Sequence, residues 1–448
     1  MNPMTTCSID NPYSPTASAD PTQPDPEELM SRDEIEALQV ERLKWTLHNA
    51  YENVPAYREL YDEHGVHPSQ FQELSDLSKF PYTDKEFLRN AYPFKSFAVP
   101  MSEIRRVHAS SGTTGLPTVV GYTQDDLDTW ASLVARCFRF SGVEPGQKIH
   151  NAYGYGLFTG GLGAHYGGEK LGCAVIPMSG GQTDKQVQLI RDFEPDAILA
   201  TPTYLLAIAD GFRKAGVDPR DTSLKRAVLG AEPWTDEMRR EIERTFDITA
   251  CDIYGLSEVM GPGVAGESAV TRDGSHIWED HFRPEIIDPF DDRVCDLGEP
   301  GELVFTSLTK QALPIIRYRT HDLTRLLPGT DRPGHRRMGR ITGRSDDMII
   351  LRGVNLFPTQ IEELALNLPS LSPHFTLEID RPNRMDQMTI HIERREDATR
   401  EEAIEDGKKL LSEIKTKIGS SALIDIAEPE TLARSSGKIR RVYDHRNK

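Results

Sequence analysis

Between residues 124 and 254, short apolar runs alternate with longer stretches of helical periodicity, and this rhythm limits the possible folds more than any other feature. The runs Lys148 to Tyr153, Ala174 to Pro177, Ala197 to Thr201, Arg226 to Gly230 and Ile248 to Tyr254 read as short buried strands. Helical segments near 184–193, 203–214 and 235–245 separate them, and a longer one spans Gln124 to Phe140. Strands joined through helices must run parallel, because a crossover returns the chain to the same edge direction. The expected class is therefore α/β, with a mainly parallel sheet covered by helices. A later run, Gly301 to Ser307, predicts a strand in a more antiparallel part.

The chain of 448 residues is longer than one hydrophobic core usually supports, so two domains are expected. A polar turn, Gly343 to Asp347, breaks the apolar pattern, and the boundary is placed at Ser345/Asp346. Residues 28–345 then form a large N-terminal domain, and 346–448 a smaller α+β domain. The latter has an apolar run Met348 to Leu351, a helix from Thr359, and strands near 374–379 and 387–393. Residues 1–27 are nearly devoid of aliphatic side chains and are expected to be disordered. Order should begin at the capping box Ser31 to Glu34, ahead of Ile35, Leu38, Leu43 and Leu47 at near-helical spacing.

Composition excludes several function classes. A net charge of −18 opposes binding to nucleic acid or an anionic membrane surface. The exception is the tail from Arg434 to Lys448, with six Lys/Arg against one Asp, which reads as a solvated end or as an arm closing on an anion. Five scattered cysteines without a Cys-x-x-Cys pair support neither a zinc ribbon nor a disulfide framework. His276, His281, Cys251 and Cys295 match no compact metal spacing. With no apolar run long enough to cross a membrane and no signal-peptide pattern, the expected location is the cytoplasm.

Residues 110–115 read Ser-Ser-Gly-Thr-Thr-Gly. Their glycines allow close backbone approach, while hydroxyls and backbone N–H groups offer donors to an anion. The loop lacks the lysine-bearing Walker pattern. Farther along, in order, stand Tyr254-Gly-Leu-Ser-Glu258, Tyr318-Arg-Thr-His-Asp322, Gly343-Arg-Ser-Asp-Asp347 and Ser436-Gly-Lys438, the middle three read as following strands. This ordered set resembles the adenylate-forming superfamily of acyl-CoA synthetases, adenylation domains and luciferases. Ala152 to Gly161, Gly230-Ala-Glu-Pro-Trp234, His276 to His281 and Arg352 to Pro358 bring the resemblance close to the phenylacetate-CoA ligase family.

The resemblance implies an adenylate-forming fold and ligation of an aryl acid to coenzyme A through an acyl-adenylate, with ATP and Mg2+. Ser110, Ser111, Gly112, Thr113, Thr114 and Gly115 would hold the β- and γ-phosphates. Gly230, Ala231, Glu232 and Pro233, with Asp252, Ile253, Tyr254 and Gly255, would line the nucleotide site, Tyr254 stacking on the base. Asp322 would accept the ribose hydroxyls, and Arg344 would meet nucleotide or phosphate. Glu258 would bind Mg2+ as a hard oxygen donor. Lys438 would reach the carboxylate and α-phosphate, and Ser345 and Asp346 would form the hinge. Gly353 would flank the pantetheine arm. Tyr153, Tyr155 and Phe158, with Gly230, would wall an aryl pocket. Partners would be the acid, ATP and coenzyme A, in a homodimer.

The sequence departs from its relatives at Leu116, where many carry a lysine; Arg105 or Arg106 could compensate. His321 replaces a common glycine or arginine and is read as facing solvent. Two further readings stay open: adenylation of another aryl acid for an amine or carrier thiol, and a non-catalytic nucleotide-binding relative.

Overall fold

A computed structural model describes residues 20–110, 116–346, 349–352, 354–382, 385–433 and 441–446, and it builds a nine-stranded sheet from the apolar runs. Its parallel block is ordered Thr249–Leu256, Arg226–Gly230, Ala197–Ala200, Lys148–Asn151, Ala174–Ile176. Helices Thr159–Leu171, Thr183–Phe193, Pro202–Lys214 and Asp236–Phe246 supply the crossovers. Thr201 and Thr235 start two of these helices by accepting a hydrogen bond from the N–H of Tyr204 and Met238.

Beyond Leu256 the chain changes rule. Ser257 to Val259 is too short for a crossover, so Met260–Glu267 returns antiparallel. Strands Ser275–Ile277, Arg337–Met338 and Leu326–Leu327 continue that pattern. The expected parallel arrangement thus holds for five of the nine strands, and the rest lack helical links. A second sheet, wholly antiparallel, runs Phe282–Ile287, Gly301–Ser307, Tyr318–Thr324, Gly343–Arg344. Its Gly301–Ser307 strand is buried at every residue.

Residues 20–27 depart from the expectation of disorder. Asp25 is 5% exposed, and Arg136 on the helix Gln124–Phe140 contacts Asp25, Glu28 and Asp280 at 3.1, 3.4 and 3.0 Å. This segment brings charge rather than apolar surface to the interior: its carboxylates neutralise a buried guanidinium. Helix Arg32–Asn53 follows, opened by the Ser31–Glu34 capping box.

The C-terminal part has its own core, from Ile349 to Ile426. Leu423–Ala427, Gln387–Arg394, Leu371–Asp380 and Val442–Asp444 form its sheet, with helices Pro358–Leu366 and Arg400–Glu413.

Candidate active site

In a sheet of this kind the ligand crevice lies outside the carboxyl ends of the parallel strands. The turn after Arg226–Gly230 and the hairpin after Thr249–Leu256 both end there, and the second sheet brings Tyr318–Thr324 alongside. Tyr254 Oη donates to Asp322 Oδ2 at 2.6 Å across this junction. Arg344 Nη1 donates to Asp322 Oδ1 at 3.0 Å, while its Nε and Nη2 donate to Asp346 at 2.8 and 2.9 Å. One guanidinium therefore ties the expected ribose acceptor to the expected hinge residue.

The motifs around Asp322 and Arg344 do not follow strands, as expected; they are strands, paired Asp322 to Arg344 and Leu323 to Gly343. Tyr254 likewise lies within Thr249–Leu256. His321 adopts a φ of 65°; its side chain stays 32% exposed while Nδ1 lies 3.0 Å from Ser345 Oγ. Burial pushes the neighbouring Glu302 carboxyl up, but hydrogen bonds from His321 and Arg319 outweigh it and bring it down to about 2. Ser345 Oγ donates to this same carboxylate at 3.2 Å.

The turn at Gly230 is sterically forced. A Cβ there would lie 2.1 Å from the Ile253 carbonyl oxygen, and Ala231 follows with a φ of 70°. A Cβ at Gly255 would meet the Met260 carbonyl oxygen at 2.5 Å. Glu232 accepts from the Thr203 N–H at 2.7 Å through one oxygen. Its other oxygen is buried without a hydrogen-bond partner among the described residues, and burial pushes the carboxyl up to about 7. Asp252 is pushed up to about 7 by burial and then by Glu267. Trp234 hydrogen-bonds its side chain, so Asp252 braces the Gly230–Trp234 turn, and Ile253 is core.

Glu258 sits at the hairpin tip and is only 6% exposed. Lys85 Nζ lies 3.8 Å from its carboxylate. Lys310 Nζ donates to the carbonyls of Glu258 and Val259 at 2.9 and 3.0 Å and lies over the Tyr122 ring. Burial drives the Lys310 ammonium down to about 8, opposed by Asp126 and Glu258. Neither lysine was singled out from sequence, since each stands far along the chain in no motif.

Arg105 and Arg106, the candidates to compensate for Leu116, have contacts of their own among the described residues. Arg105 donates to the Ser102 carbonyl at 2.7 Å, and Arg106 stacks on Tyr166 at 4.5 Å. The Ser110 N–H donates to the Thr118 carbonyl at 2.9 Å, closing the hairpin of Arg106–Ala109 and Val119–Tyr122. Its hydroxyl oxygen is buried without a hydrogen-bond partner among the described residues. Ser111, Gly112, Thr113, Thr114, Gly115, Gly353 and Lys438 lie outside the described residues.

The three expected pocket aromatics occupy different environments. Tyr153 is 8% exposed within the core. Tyr155 Oη accepts from Asn151 Nδ2 at 2.8 Å and lies 3.1 Å from His165 Nδ1. Phe158 is 52% exposed at the start of helix Thr159–Leu171.

The AMP-binding enzyme family model matches residues 28–309, and the AMP-binding enzyme C-terminal domain model matches 353–446. The chain is 58% identical over 430 residues to the phenylacetate-coenzyme A ligase of Escherichia coli (strain K12), covering 95% of this chain and 98% of the relative. It is 56% identical over 441 residues to the phenylacetate-coenzyme A ligase of Aromatoleum evansii, covering 97% and 100%. Among solved structures, 2-hydroxyisobutyryl-CoA ligase in its postadenylation state matches with a TM-score of 0.90 at 27% identity, covering 97% of this chain and 96% of that one. In its thioesterification state it matches at 0.72, with 28% identity and the same coverage. This chain, with its adenylate-forming fold, therefore belongs to the AMP-binding enzyme family and, within it, to the phenylacetate-CoA ligases.

Proposed function

We propose that the chain ligates an aryl acid, phenylacetate or a close analogue, to coenzyme A through an acyl-adenylate, releasing AMP and pyrophosphate. The observation that carries this is the junction of Tyr254, Asp322 and Arg344 beside Glu258, in a chain so similar to phenylacetate-CoA ligases. A carboxylate is a poor electrophile. It first attacks the α-phosphorus of ATP, expelling pyrophosphate, and a thiol then displaces AMP from the mixed anhydride. The first step gathers negative charge, so donors and cations must stand ready where it develops.

Asp322, acceptor-only when ionised, holds the ribose hydroxyls in place of the bonds it now takes from Tyr254 and Arg344. Ser110 brings to the phosphate loop a hydroxyl without a partner among the described residues, and Lys85 brings the positive charge that Leu116 does not. Glu258 is a buried carboxylate, which suits Mg2+: that ion takes one or two carboxylates and completes its shell with water and phosphate oxygens. The ion would supply charge neutralisation between phosphates. Lys438 contacts the acid and α-phosphate, Ser345 and Asp346 act as the hinge, and Gly353 flanks the thiol path. A homodimer in the cytoplasm belongs to the same reading.

Incubation with ATP, Mg2+, coenzyme A and a panel of arylacetates, benzoates and aliphatic acids tests it. Pyrophosphate release that depends on an arylacetate, with the matching thioester, is the expected result. Release without thioester would turn the reading to another acceptor, and no acid-dependent release would end it.

A further inference from the structure

We propose that the ion pair of Glu241 and Arg395 is a latch that holds the small domain in the arrangement used for adenylation. The proposal rests on the two-step reading above. Glu241 belongs to helix Asp236–Phe246 of the large domain, and Arg395 follows strand Gln387–Arg394 of the small one. Arg395 Nη1 meets Glu241 Oε1 at 2.6 Å, with the two side chains 29% and 13% exposed.

Each partner is braced on its own side of the seam. Arg395 Nε donates to the Leu371 carbonyl at 2.9 Å, and its backbone N–H donates to Ser370 at 2.9 Å. The guanidinium therefore travels with the small domain. Glu241 is fixed by its helix, so rotation of one domain against the other must break the pair. Leu366, packed on the large domain's helical core, adds an apolar contact at the same seam. An open cleft of about 660 Å³ borders the pair, lined in part by Arg213, Arg220 and Arg244. Water reaches the bridge there, which keeps it reversible.

The arrangement is one of three in which a relative has been solved: postadenylation, open and thioesterification. The same 2-hydroxyisobutyryl-CoA ligase matches far better in its postadenylation state than in its thioesterification state, at equal coverage. The seam described here is thus that of the earlier step. A contact made in one state and lost in the other biases the equilibrium by its own free energy. A part-exposed pair of this kind shifts it up to about fivefold.

Glu241→Gln and Arg395→Gln, singly and together, test the latch in separated half-reactions. Thioester formation from supplied acyl-adenylate should speed up by up to about fivefold in either single variant, with adenylation unchanged or slower, and the double variant should add nothing. Equal loss in both half-reactions, or wild-type rates in both, would overturn the latch. A second readout needs no activity: energy transfer between dyes on Lys185→Cys and Lys415→Cys. It should show a new population in the Glu241→Gln background, and an unchanged distribution counts against the latch. If wild type makes no thioester while the dye distribution still responds, the latch stands and the ligase reading fails.

Discussion

Arg344 is where the nucleotide site and the hinge become one object, since its guanidinium spans Asp322 and Asp346. Charge-assisted hydrogen bonds of this type are worth about 1.5–3 kcal/mol each. Asp322→Asn should therefore raise the KM for ATP roughly 10- to 100-fold in acid-dependent pyrophosphate release and also lower the melting temperature, since the ion pair with Arg344 is lost. The two lysines beside Glu258 should separate cleanly. Lys85 is part-exposed, so Lys85→Met should slow adenylation and leave stability alone. Lys310 is buried and donates to two carbonyls, so Lys310→Met should cost about 1–3 kcal/mol in urea unfolding by leaving them unsatisfied. Asp252 gives a pH signature. Its carboxyl titrates near 3.8 when unfolded but at about 7 in the fold. Between those values the folded chain keeps a proton that the unfolded chain has released, so stability falls as pH rises through the window. Asp252→Asn should flatten the fall in urea midpoint between about pH 4 and 7; an unaltered slope would remove Asp252 as its source.

At the scale of elements, the site exists because one link is short. Helical crossovers keep five strands parallel, and the Ser257–Val259 hairpin then places Glu258 at their carboxyl end. The turn one strand away depends on glycine. Gly230→Ala would drive a methyl into the Ile253 carbonyl, so the turn must shift. We expect a lower melting temperature and weakened ATP binding together, read by scanning calorimetry with and without ATP; loss of stability alone would remove the turn from the site. Periodicity predicted these strands and helices well: Gln124–Phe140, Arg226–Gly230 and Gly301–Ser307 begin and end where expected. It placed Tyr318–Asp322 and Gly343–Arg344 after strands rather than in them. Polar residues at those positions hide the pattern, because their side chains face a site and not the core.

At the scale of the whole molecule, the N-terminal segment is a clamp made of charge. Without Asp25 and Glu28, Arg136 keeps only Asp280 among these carboxylates. A chain lacking residues 1–30 should lose about 3–5 kcal/mol of stability, seen as a lower urea midpoint relative to the full chain. Composition alone suggested disorder there, since a buried ion pair leaves no hydrophobic signature. What the sequence determined by itself was local and ordered: the strand–helix rhythm, the caps, the glycine turns, and motifs whose order resembles one family. These follow from short-range sterics, periodicity and residue chemistry, which are written in neighbouring letters. Only the tertiary structure decided which distant charges meet: Lys85 and Lys310 at Glu258, His321 at Ser345, Arg136 at Asp25, and Glu241 at Arg395. Such pairs depend on how sheets and domains pack, and a single sequence carries no local trace of a partner hundreds of residues away.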